Sequence, residues 1–406
     1  MDDDKMEKKK KVLMLGGLKY LLPVIKAAHE LGYYVITCDY LPDNIAHKYS
    51  DEYHNVSIID RNAVLELAKR LEIDGIMSFA VDPGVITAAY VAEELGLPGN
   101  PYRSVEILQN KDLFRNFLKD NDFIVPKSKG YCDINAALYD LDYFTLPVIV
   151  KPVDSAGSKG VTKVETKQDF LDAAILALKN SISKRFIVED FLEVEGFSSD
   201  SDGFSVDGVL KCISFSNQRF DSKAANPYTP SAYSWPSSIS IQHQKELENE
   251  IQRLLQLLNM KTSIYNIETR VAKNGKAYIM EVSPRGGGNR LSEMLRYASG
   301  VDLIKNAVRA SVDDEIVDVI PPVYNGYWAE IILHSKMSGI FKSLKVSESM
   351  NKYVREVDLW VKEGDSVNEF NAANDAIGTL VMKFDTQEML EEKMGCLNKW
   401  VNVELI

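Results

Sequence analysis

The sequence has few cysteines, and they are isolated from one another. Cys38, Cys132, Cys212 and Cys396 are the four cysteines among 406 residues, and no two have the Cys-x-x-Cys spacing. This distribution fits neither a structural zinc site nor a disulfide framework. We therefore expect a protein of a reducing compartment, the cytoplasm.

Long apolar runs and an excess of positive charge are also missing. No apolar stretch reaches the roughly 18 residues that a membrane helix needs, and no signal peptide is recognisable. Acidic residues outnumber basic ones by 59 to 47, which gives a net charge of -12. A surface of this sign repels a phosphate backbone. Neither a membrane nor a nucleic acid is expected as a partner. The first ten residues begin Met-Asp-Asp-Asp-Lys and look like the remnant of a tag, so we expect residues 1–10 to be disordered.

Hydrophobic periodicity predicts a multidomain protein of the α/β and α+β classes. Strand and helix patterns alternate over residues 11–109, which indicates a parallel sheet with helices on both faces. Residues 110–182 and 183–310 are predicted to form two further lobes, and residues 311–406 a small β-rich region.

Three segment predictions in the later part of the chain are specific enough to be checked. Residues 203–215 are predicted as one strand. Residues 216–240 are rich in Gly, Pro and Ser and are predicted as an irregular surface or lid segment. Residues 387–400 are predicted as a final helix.

A lysine at the end of a predicted strand precedes a loop of small residues. Lys151 follows Val148-Ile-Val, and the loop over residues 154–160 reads Asp-Ser-Ala-Gly-Ser-Lys-Gly. Glycines let a backbone approach phosphates closely, and exposed backbone N–H groups bind them. Taken alone, the pattern fits a hairpin turn with a surface lysine equally well.

Two glutamates lie on two strands that a hairpin signal joins. Glu268 and Glu281 flank Asn274-Gly275, a strong short-range signal for a β-hairpin. Pairing these strands brings the two carboxylates within a residue or two of direct opposition. Adjacent carboxylates repel unless a cation lies between them, and Mg²⁺ prefers oxygen ligands together with substrate phosphates. The alternative is two solvent-facing glutamates on an edge hairpin.

A glycine-rich turn follows the second glutamate. The segment reads Pro284-Arg-Gly-Gly-Gly-Asn-Arg290, and a plain strand-to-helix turn needs only one glycine. Arginine offers a planar fork for phosphate or carboxylate oxygens. The pattern therefore indicates anion binding by Arg285 and the backbone amides of the turn.

These motifs together resemble the ATP-grasp superfamily, in particular its carboxylate–amine ligase and biotin-carboxylase-like branch, including L-amino-acid ligases. The resemblance rests on residues 148–161, 189–192 and 279–288 in this order, and it covers residues 11–310. It implies a pre-ATP-grasp domain over residues 11–109, a two-lobed ATP-grasp domain over residues 110–310, and the branch's β-rich tail.

The resemblance also implies roles for individual residues. The phosphate and nucleotide contacts would come from Lys111, Lys151, Ser155, Gly157, Ser158, Gly160, Glu189, Phe191, Leu192 and Glu195, with Glu193 as the alternative to Glu195 at the ribose. Glu268 and Glu281 match the Mg²⁺ ligands, with Mn²⁺ as the alternative metal. Arg285 and Lys151 match the catalytic cations. Ser283 stands where the family often has a third ligand, asparagine, and Arg219 and Arg290 are candidate substrate contacts.

The implied activity is ATP- and Mg²⁺-dependent activation of a carboxylate as an acyl phosphate, which an amine then attacks. The expected partners are small-molecule carboxylates and amines, and a homodimer is left open. Within the family, the alternatives are a phosphoribosylglycinamide-synthetase-type or biotin-carboxylase-like enzyme. Outside it, they are a non-catalytic nucleotide-binding module and an NAD(P)-dependent oxidoreductase, although the full G-x-G-x-x-G fingerprint is missing.

Overall fold

The chain begins with a parallel sheet that carries helices on both faces. The computed structural model describes residues 9–155 and 157–406, and its first strands and helices are β1 (Lys11–Leu15), α1 (Leu22–Glu30), β2 (Tyr34–Cys38), β3 (Glu52–His54), α2 (Arg61–Leu71), β4 (Gly75–Ser78) and α3 (Asp82–Leu95). The strand order is β3-β2-β1-β4. Val12 and Met14 pack on the α1 side, whereas Leu13 and Leu15 pack on the side of α2 and α3. The predicted two-sided arrangement is confirmed.

A second lobe holds a four-stranded antiparallel sheet. Its elements, after the connecting helix α4 (Tyr102–Gln109), are α5 (Lys111–Asp120), β5 (Ser128–Tyr131), α6 (Ile134–Tyr139), β6 (Val148–Pro152), β7 (Thr162–Val164), α7 (Phe170–Asn180) and β8 (Phe186–Asp190). The strand order is β5-β8-β6-β7. Strand β6 therefore lies beside β8, which places Lys151 and Glu189 on neighbouring strands.

The third part of the chain supplies the strands that carry the predicted carboxylates. Its elements are β9 (Ser199–Val206), β10 (Val209–Ile213), β11 (Asn217–Phe220), β12 (Pro230–Trp235), α8 (Ile241–Leu257), β13 (Ser263–Val271), β14 (Ala277–Ser283), α9 (Leu291–Ser299) and α10 (Leu303–Ala310). Four of these strands form one sheet in the order β10-β9-β13-β14. The predicted hairpin is present as β13 and β14.

The last part of the chain completes two more sheets. Its elements are β15 (Tyr327–Leu333), β16 (Gly339–Val346), β17 (Val354–Leu359), β18 (Ser366–Val367), β19 (Gly378–Phe384), α11 (Gln387–Met394) and β20 (Val401–Leu405). Strands β18, β16 and β20 form a three-stranded sheet, and a five-stranded sheet runs β11-β12-β15-β19-β17. This second sheet therefore joins two strands from the third part of the chain to three from the last.

The prediction of a single strand over residues 203–215 is wrong. Strand β9 ends at Val206 and β10 begins at Val209, and the two pair antiparallel. Asp207 and Gly208 both have positive φ, 50° and 75°. That is the geometry of a two-residue hairpin turn, for which Asp-Gly is a preferred pair. The apolar residues on both sides of the turn hid it in the sequence.

Two other segment predictions also need correction. Residues 216–240 contain β11 and β12 rather than an irregular lid, and Tyr233 and Trp235 are almost fully buried. These strands form because they pair with each other and with β15, which a local pattern does not reveal. The final helix ends at Met394, before Gly395, and is shorter than predicted. In the described part of the chain, no helix has the length and hydropathy of a membrane span.

Candidate active site

The two predicted carboxylates lie directly opposite each other. Glu268 on β13 pairs with Glu281 on β14, and a bulge follows immediately after Glu268. Each side chain is about one-third exposed and has one cationic neighbour. Arg270 Nη2 lies 2.9 Å from Glu268 Oε1, and Lys111 Nζ lies 3.3 Å from Glu281 Oε2.

A third carboxylate continues this row on the next strand. Asp200 on β9 is directly opposite Glu268. Asn266 donates to its Oδ1 at 2.7 Å and the Tyr233 hydroxyl donates to its Oδ2 at 3.1 Å. Burial and the charge of Glu268 raise the pKa of Asp200 to about 7. Asp200, Glu268 and Glu281 thus form a line across three adjacent strands.

The predicted phosphate loop is connected to the Glu281 end of this line of carboxylates through Lys111. Lys111 Nζ donates to the carbonyl oxygen of Ser155 at 3.0 Å while facing Glu281. Gly157, Ser158 and Gly160 all have positive φ, between 60° and 72°, so the loop turns sharply. Ala156 lies outside the described residues.

The loop also contacts two segments that come later in the sequence. Ser158 Oγ donates to the carbonyl oxygen of Tyr228 at 3.1 Å, and Asn226 Nδ2 donates to the carbonyl oxygen of Asn371 at 3.0 Å. A Cβ atom on Gly157 would lie 4.0 Å from the Ala373 side chain. The loop is therefore closed against the segments around residues 226–228 and 371–373.

Lys151 belongs to a buried charged trio that the sequence did not reveal. Its Nζ lies 2.6 Å from Glu189 Oε2, and Arg115 Nε donates to Glu189 Oε1 at 2.6 Å. Burial alone would raise the pKa of Glu189, but Arg115 and Lys151 together lower it to about 2. Burial lowers the pKa of Lys151, and Glu189 offsets part of this effect. The Glu189 carboxylate, for which an adenine contact was predicted, is engaged on both oxygens and fixes the position of Lys151.

Phe191 and Leu192, for which nucleotide contacts were predicted, connect the two lobes. The Phe191 backbone N–H donates to the carbonyl oxygen of Pro147, and Leu192 packs beside Ala272, Tyr278 and Met280.

The two candidates for the ribose contact differ in their surroundings. Glu193 is ion-paired with Lys273 at 2.7 Å. The backbone N–H of Glu195 donates to Val271, and its side chain has no ion pair with the described residues. Which of the two contacts the ribose stays a prediction.

Arg285 is held by an aspartate that the sequence reasoning missed. Its Nε donates to Asp82 Oδ1 and its Nη2 to Asp82 Oδ2, each at 2.9 Å. Ser283 Oγ also donates to Asp82, at 3.0 Å, and accepts from Gln109 Nε2 at 2.7 Å. Ser283 is thus engaged in orienting Asp82. Burial alone would lower the pKa of Arg285, but Asp82 raises it, so the guanidinium stays charged.

Replacing Arg285 with lysine is expected to lower kcat/KM on the order of 10²–10³-fold, the effect of losing an oriented donor at a reacting oxyanion. Lysine keeps the charge, but it cannot donate two parallel bonds to Asp82 and still present a fixed N–H group. Asp82→Asn is expected to cause a smaller loss, because an acceptor for Arg285 remains. Steady-state ADP release measures both, and wild-type kcat/KM in Arg285→Lys would contradict the assignment.

The glycine-rich turn serves partly to bind a buried aspartate. The Gly287 backbone N–H donates to Asp202 Oδ1 at 2.8 Å, and the Ser292 hydroxyl donates to Asp202 Oδ2. Burial raises the pKa of Asp202 to about 6, although these bonds oppose the rise. The backbone N–H of Gly287, which was expected to face a bound anion, is engaged by the Asp202 side chain, whereas anion binding by the rest of the turn stays a prediction.

The structure does not bring the predicted substrate arginines to the carboxylate line. Arg219 binds Glu391 at 2.7 Å and lies over the Phe197 ring, on the face of β11 opposite to Gln218 and Tyr233. Arg290 is bound by Glu356 at 2.7 Å and by Thr379 at 2.9 Å. Both guanidinium groups are engaged within the protein.

A buried carboxyl group lies beside Tyr233 in the five-stranded sheet. Glu330 is fully buried, and neither carboxylate oxygen has a hydrogen-bond partner among the described residues. Burial raises the pKa of Glu330 well above its ordinary value of 4.5. Arg290 opposes the rise, whereas Glu293 and Glu356 add to it.

Glu330→Gln is expected to stabilise the protein more at pH 8 than at pH 5. Native Glu330 keeps its proton above pH 4.5 while the unfolded chain releases it, so wild-type stability falls with rising pH by up to about 1.4 kcal/mol per pH unit. Glutamine binds no proton and removes this slope. Denaturant unfolding between pH 5 and pH 8 measures the effect, with exposed Glu94→Gln as the control. Equal slopes in the wild type and Glu330→Gln would contradict the expectation.

Several site residues escaped the sequence reasoning for identifiable reasons. Asp82 begins α3, and three residues separate it from the carboxyl end of β4. Ligands of open α/β sheets bind at the carboxyl ends of strands, so this position was a usable signal. Asp200 lies in a run of serines and aspartates without an apolar pattern, and Arg115 lies in a charged amphipathic helix. Nothing local distinguishes either residue from a surface charge.

The carboxylate pair fits a divalent cation that is shared with phosphates. No group of three or more His, Cys, Asp or Glu side chains is arranged to hold a metal by itself, within the residues that the structure describes. Mg²⁺ in nucleotide sites uses one or two carboxylates together with phosphate oxygens and water. Glu268 and Glu281 supply such a pair, and a cation between them would offset the repulsion of two carboxylates that lie directly opposite each other.

Comparison with known proteins agrees with this arrangement. Residues 144–293 match the family model described as an ATP-grasp domain. One relative, the formate-dependent phosphoribosylglycinamide formyltransferase of Prochlorococcus marinus, is 27% identical over 190 residues, 46% of this chain and 49% of that protein. The carbamoyl phosphate synthase large chain of Pseudothermotoga lettingae is 25% identical over 328 residues, 77% of this chain and 29% of that protein. The chain therefore spans half or less of the length of these relatives.

Solved structures match almost the whole chain. The L-amino acid ligase of Bacillus licheniformis has a TM-score of 0.80 at 18% identity, covering 98% of this chain and 100% of that one. Phosphoribosylglycinamide synthetase of Anaerococcus prevotii has a TM-score of 0.75 at 20% identity, with the same coverage. The biotin carboxylase domain of Hydrogenobacter thermophilus 2-oxoglutarate carboxylase, a dimer with MgADP and bicarbonate, has a TM-score of 0.72 at 16% identity and covers 97% and 90%.

The chain carries an ATP-grasp domain, as its lysines, phosphate loop and paired glutamates suggested. The solved structures share their fold with this chain over almost its whole length. The predicted ATP-grasp domain is confirmed over residues 144–293, and so is the predicted fold class, whereas the branch of the superfamily stays a prediction. The predicted domain boundaries and the individual residue roles stay predictions.

Proposed function

We propose that this protein is an ATP- and Mg²⁺-dependent ligase that activates a carboxylate as an acyl phosphate for attack by an amine. One observation carries the proposal. Glu268 and Glu281 lie directly opposite each other, and Lys111 connects Glu281 to the phosphate loop. Arg285 follows Glu281 by four residues and is held in place by its hydrogen bonds to Asp82. Phosphoryl transfer needs this kind of positioning and charge neutralisation, and little covalent chemistry from the protein.

Each group in the site has a task in this reaction. A divalent cation between Glu268 and Glu281 would neutralise charge on the phosphates. Lys151, held by Glu189, and Lys111 bind phosphate oxygens, and Arg285 stabilises the charge that develops on the acyl oxygen. The loop over residues 154–160 excludes water, which would otherwise hydrolyse the acyl phosphate.

The substrates are proposed to be small molecules, with amino acids as the first class to test because an L-amino acid ligase shares the fold over the full chain. The cytoplasmic location stays a prediction, and a homodimer is left to measurement.

A substrate screen tests the proposal. The purified protein is incubated with ATP, Mg²⁺ and pairs drawn from the L-amino acids and common small carboxylates, and phosphate release is measured. We expect release that needs both a carboxylate and Mg²⁺ and that rises when an amine is added. No release with any pair, together with NAD(P)H binding by fluorescence, would instead favour the oxidoreductase alternative. Parallel reactions with bicarbonate or phosphoribosylamine test the carboxylase-type and purine-pathway alternatives.

A further inference from the structure

Asp200 extends the line of carboxylates away from the phosphate loop. Lys111 and the loop contact the Glu281 end of the line, and Asp200 stands at the other end, opposite Glu268. Neighbouring strands lie about 4.8 Å apart. Asp200 is therefore one strand beyond the proposed metal ligands, on the side away from Lys111 and the phosphate loop.

The Asp200 side chain is fixed in direction and remains partly exposed. Asn266 and Tyr233 each donate a hydrogen bond to one of its oxygens, and Asn289 Nδ2 donates to the Tyr233 hydroxyl at 3.3 Å. A carboxylate oxygen can accept more than one hydrogen bond, so both oxygens keep free acceptor capacity. The group is thus built into the site and is available to a ligand.

No protein cation neutralises Asp200 at contact distance within the described part of the chain. Arg270 is paired with Glu268, and Arg285 is paired with Asp82. Asp200 also does not complete a three-residue metal site, because no such cluster exists among the described side chains. The charge of Arg285 acts on Asp200 and offsets only part of the effect of burial, so this carboxylate, with no cation in contact, favours a ligand that brings a positive charge.

We propose that Asp200 binds the positively charged amino group of the second substrate and holds its nitrogen beside the acyl phosphate. The inference rests on the proposed ligase function and narrows its substrate class. The nucleophile is a primary amine that arrives as an ammonium ion, whereas an anion such as bicarbonate is repelled at this position.

The ammonium first loses one proton to solvent, which frees the lone pair of its nitrogen. The nitrogen then forms a bond to the acyl carbon, and the bond from that carbon to the phosphate oxygen breaks, so inorganic phosphate leaves with the electron pair. A second proton leaves the nitrogen and is taken up by the phosphate, and the product is an amide. Asp200 acts here as a binding group for the nitrogen.

Hydroxylamine gives a test that separates Asp200 from the rest of the site. It is a strong nucleophile that is largely uncharged at neutral pH, so it can trap an acyl phosphate as a hydroxamate without an ammonium-binding carboxylate. The carboxylate and the amine that give the highest phosphate release in the substrate screen are used, with hydroxylamine replacing the amine in parallel reactions. The variant is Asp200→Asn, whose Oδ1 still accepts from Asn266 and whose Nδ2 can donate to the Tyr233 hydroxyl oxygen.

For Asp200→Asn we expect the KM of the amine to rise 10- to 100-fold. The KM values of ATP and of the carboxylate, and the rate of hydroxamate formation, should stay within about 3-fold of the wild type. The matched control is Asp207→Asn, in the exposed turn that ends β9, where asparagine also tolerates a positive φ.

The outcomes distinguish this inference from the proposal on which it rests. An unchanged KM of the amine in Asp200→Asn would overturn the role of Asp200 while leaving the ligase function standing. Equal losses with the amine and with hydroxylamine would also overturn it, because they indicate damage to the phosphate site. Absence of hydroxamate in the wild type with every carboxylate would overturn the ligase function itself. Bicarbonate replacing the amine in the wild type would overturn the proposed substrate class.

Discussion

Replacing Glu281 with glutamine is expected to lower kcat at least about 10³-fold while leaving the fold intact. Glutamine has the size of glutamate and keeps one oxygen, but it removes the charge that a divalent cation needs beside Glu268. The fold should tolerate the change because Glu281 is about one-third exposed and its ion pair is a 3.3 Å contact with Lys111. A pair of this exposure contributes little to stability.

The control for Glu281→Gln is Glu66→Gln, which also removes a lysine–glutamate pair, Lys69–Glu66, but on the surface of α2. ADP release in the Mg²⁺-dependent assay measures kcat, and circular dichroism with thermal unfolding checks the fold. Glu268→Gln should repeat the loss, since the two carboxylates act on one cation. Wild-type turnover in Glu281→Gln would refute the metal assignment and, with it, the ligase proposal.

Replacing Lys151 with alanine is expected to weaken nucleotide binding about 10- to 100-fold, which corresponds to roughly 1.4–2.7 kcal/mol. The change removes one cation from the phosphate site. It also leaves Glu189 with Arg115 as its remaining partner, so the trio loses its net positive charge. This loss opposes the binding of a triphosphate.

Isothermal titration with ADP and Mg²⁺ measures this loss directly. Lys151→Met serves as a second variant, because methionine keeps the apolar stem and isolates the charge. Lys129→Ala removes a paired lysine from β5 of the same sheet and controls for general effects on the lobe. A dissociation constant unchanged from the wild type in both Lys151 variants would exclude Lys151 from nucleotide binding.

The parts of the site that the sequence predicted share one property, a strong local signal. Asn274-Gly275 marks a hairpin, and its pairing alone brings Glu268 and Glu281 together. The apolar run before Lys151 marks a strand, which places that lysine beside Glu189 on the neighbouring strand. In the first hundred residues, strand and helix periodicity determines the parallel sheet for the same reason.

The parts that the sequence missed depend on pairing between distant segments. Strands β11 and β12 lack a clear local pattern and exist because they pair with each other and with β15. Without this pairing, the sequence does not tell which face of the sheet carries Arg219 and which carries Tyr233. Arg219 was therefore predicted as a substrate contact, whereas Tyr233 is the residue that binds Asp200. Asp82 and Arg285 are 203 positions apart, so only the folded chain joins them.

The five-stranded sheet that joins β11 and β12 to β15 has a consequence for any attempt to dissect this protein. A chain cut after Ala310 would lose β15 and bare the edge of β12, along with the apolar faces of Ala232 and Trp235. Exposed edges of this kind promote aggregation. The first 310 residues are thus not an independent module. A working chimera would have to exchange residues 217–235 together with the C-terminal quarter of the chain.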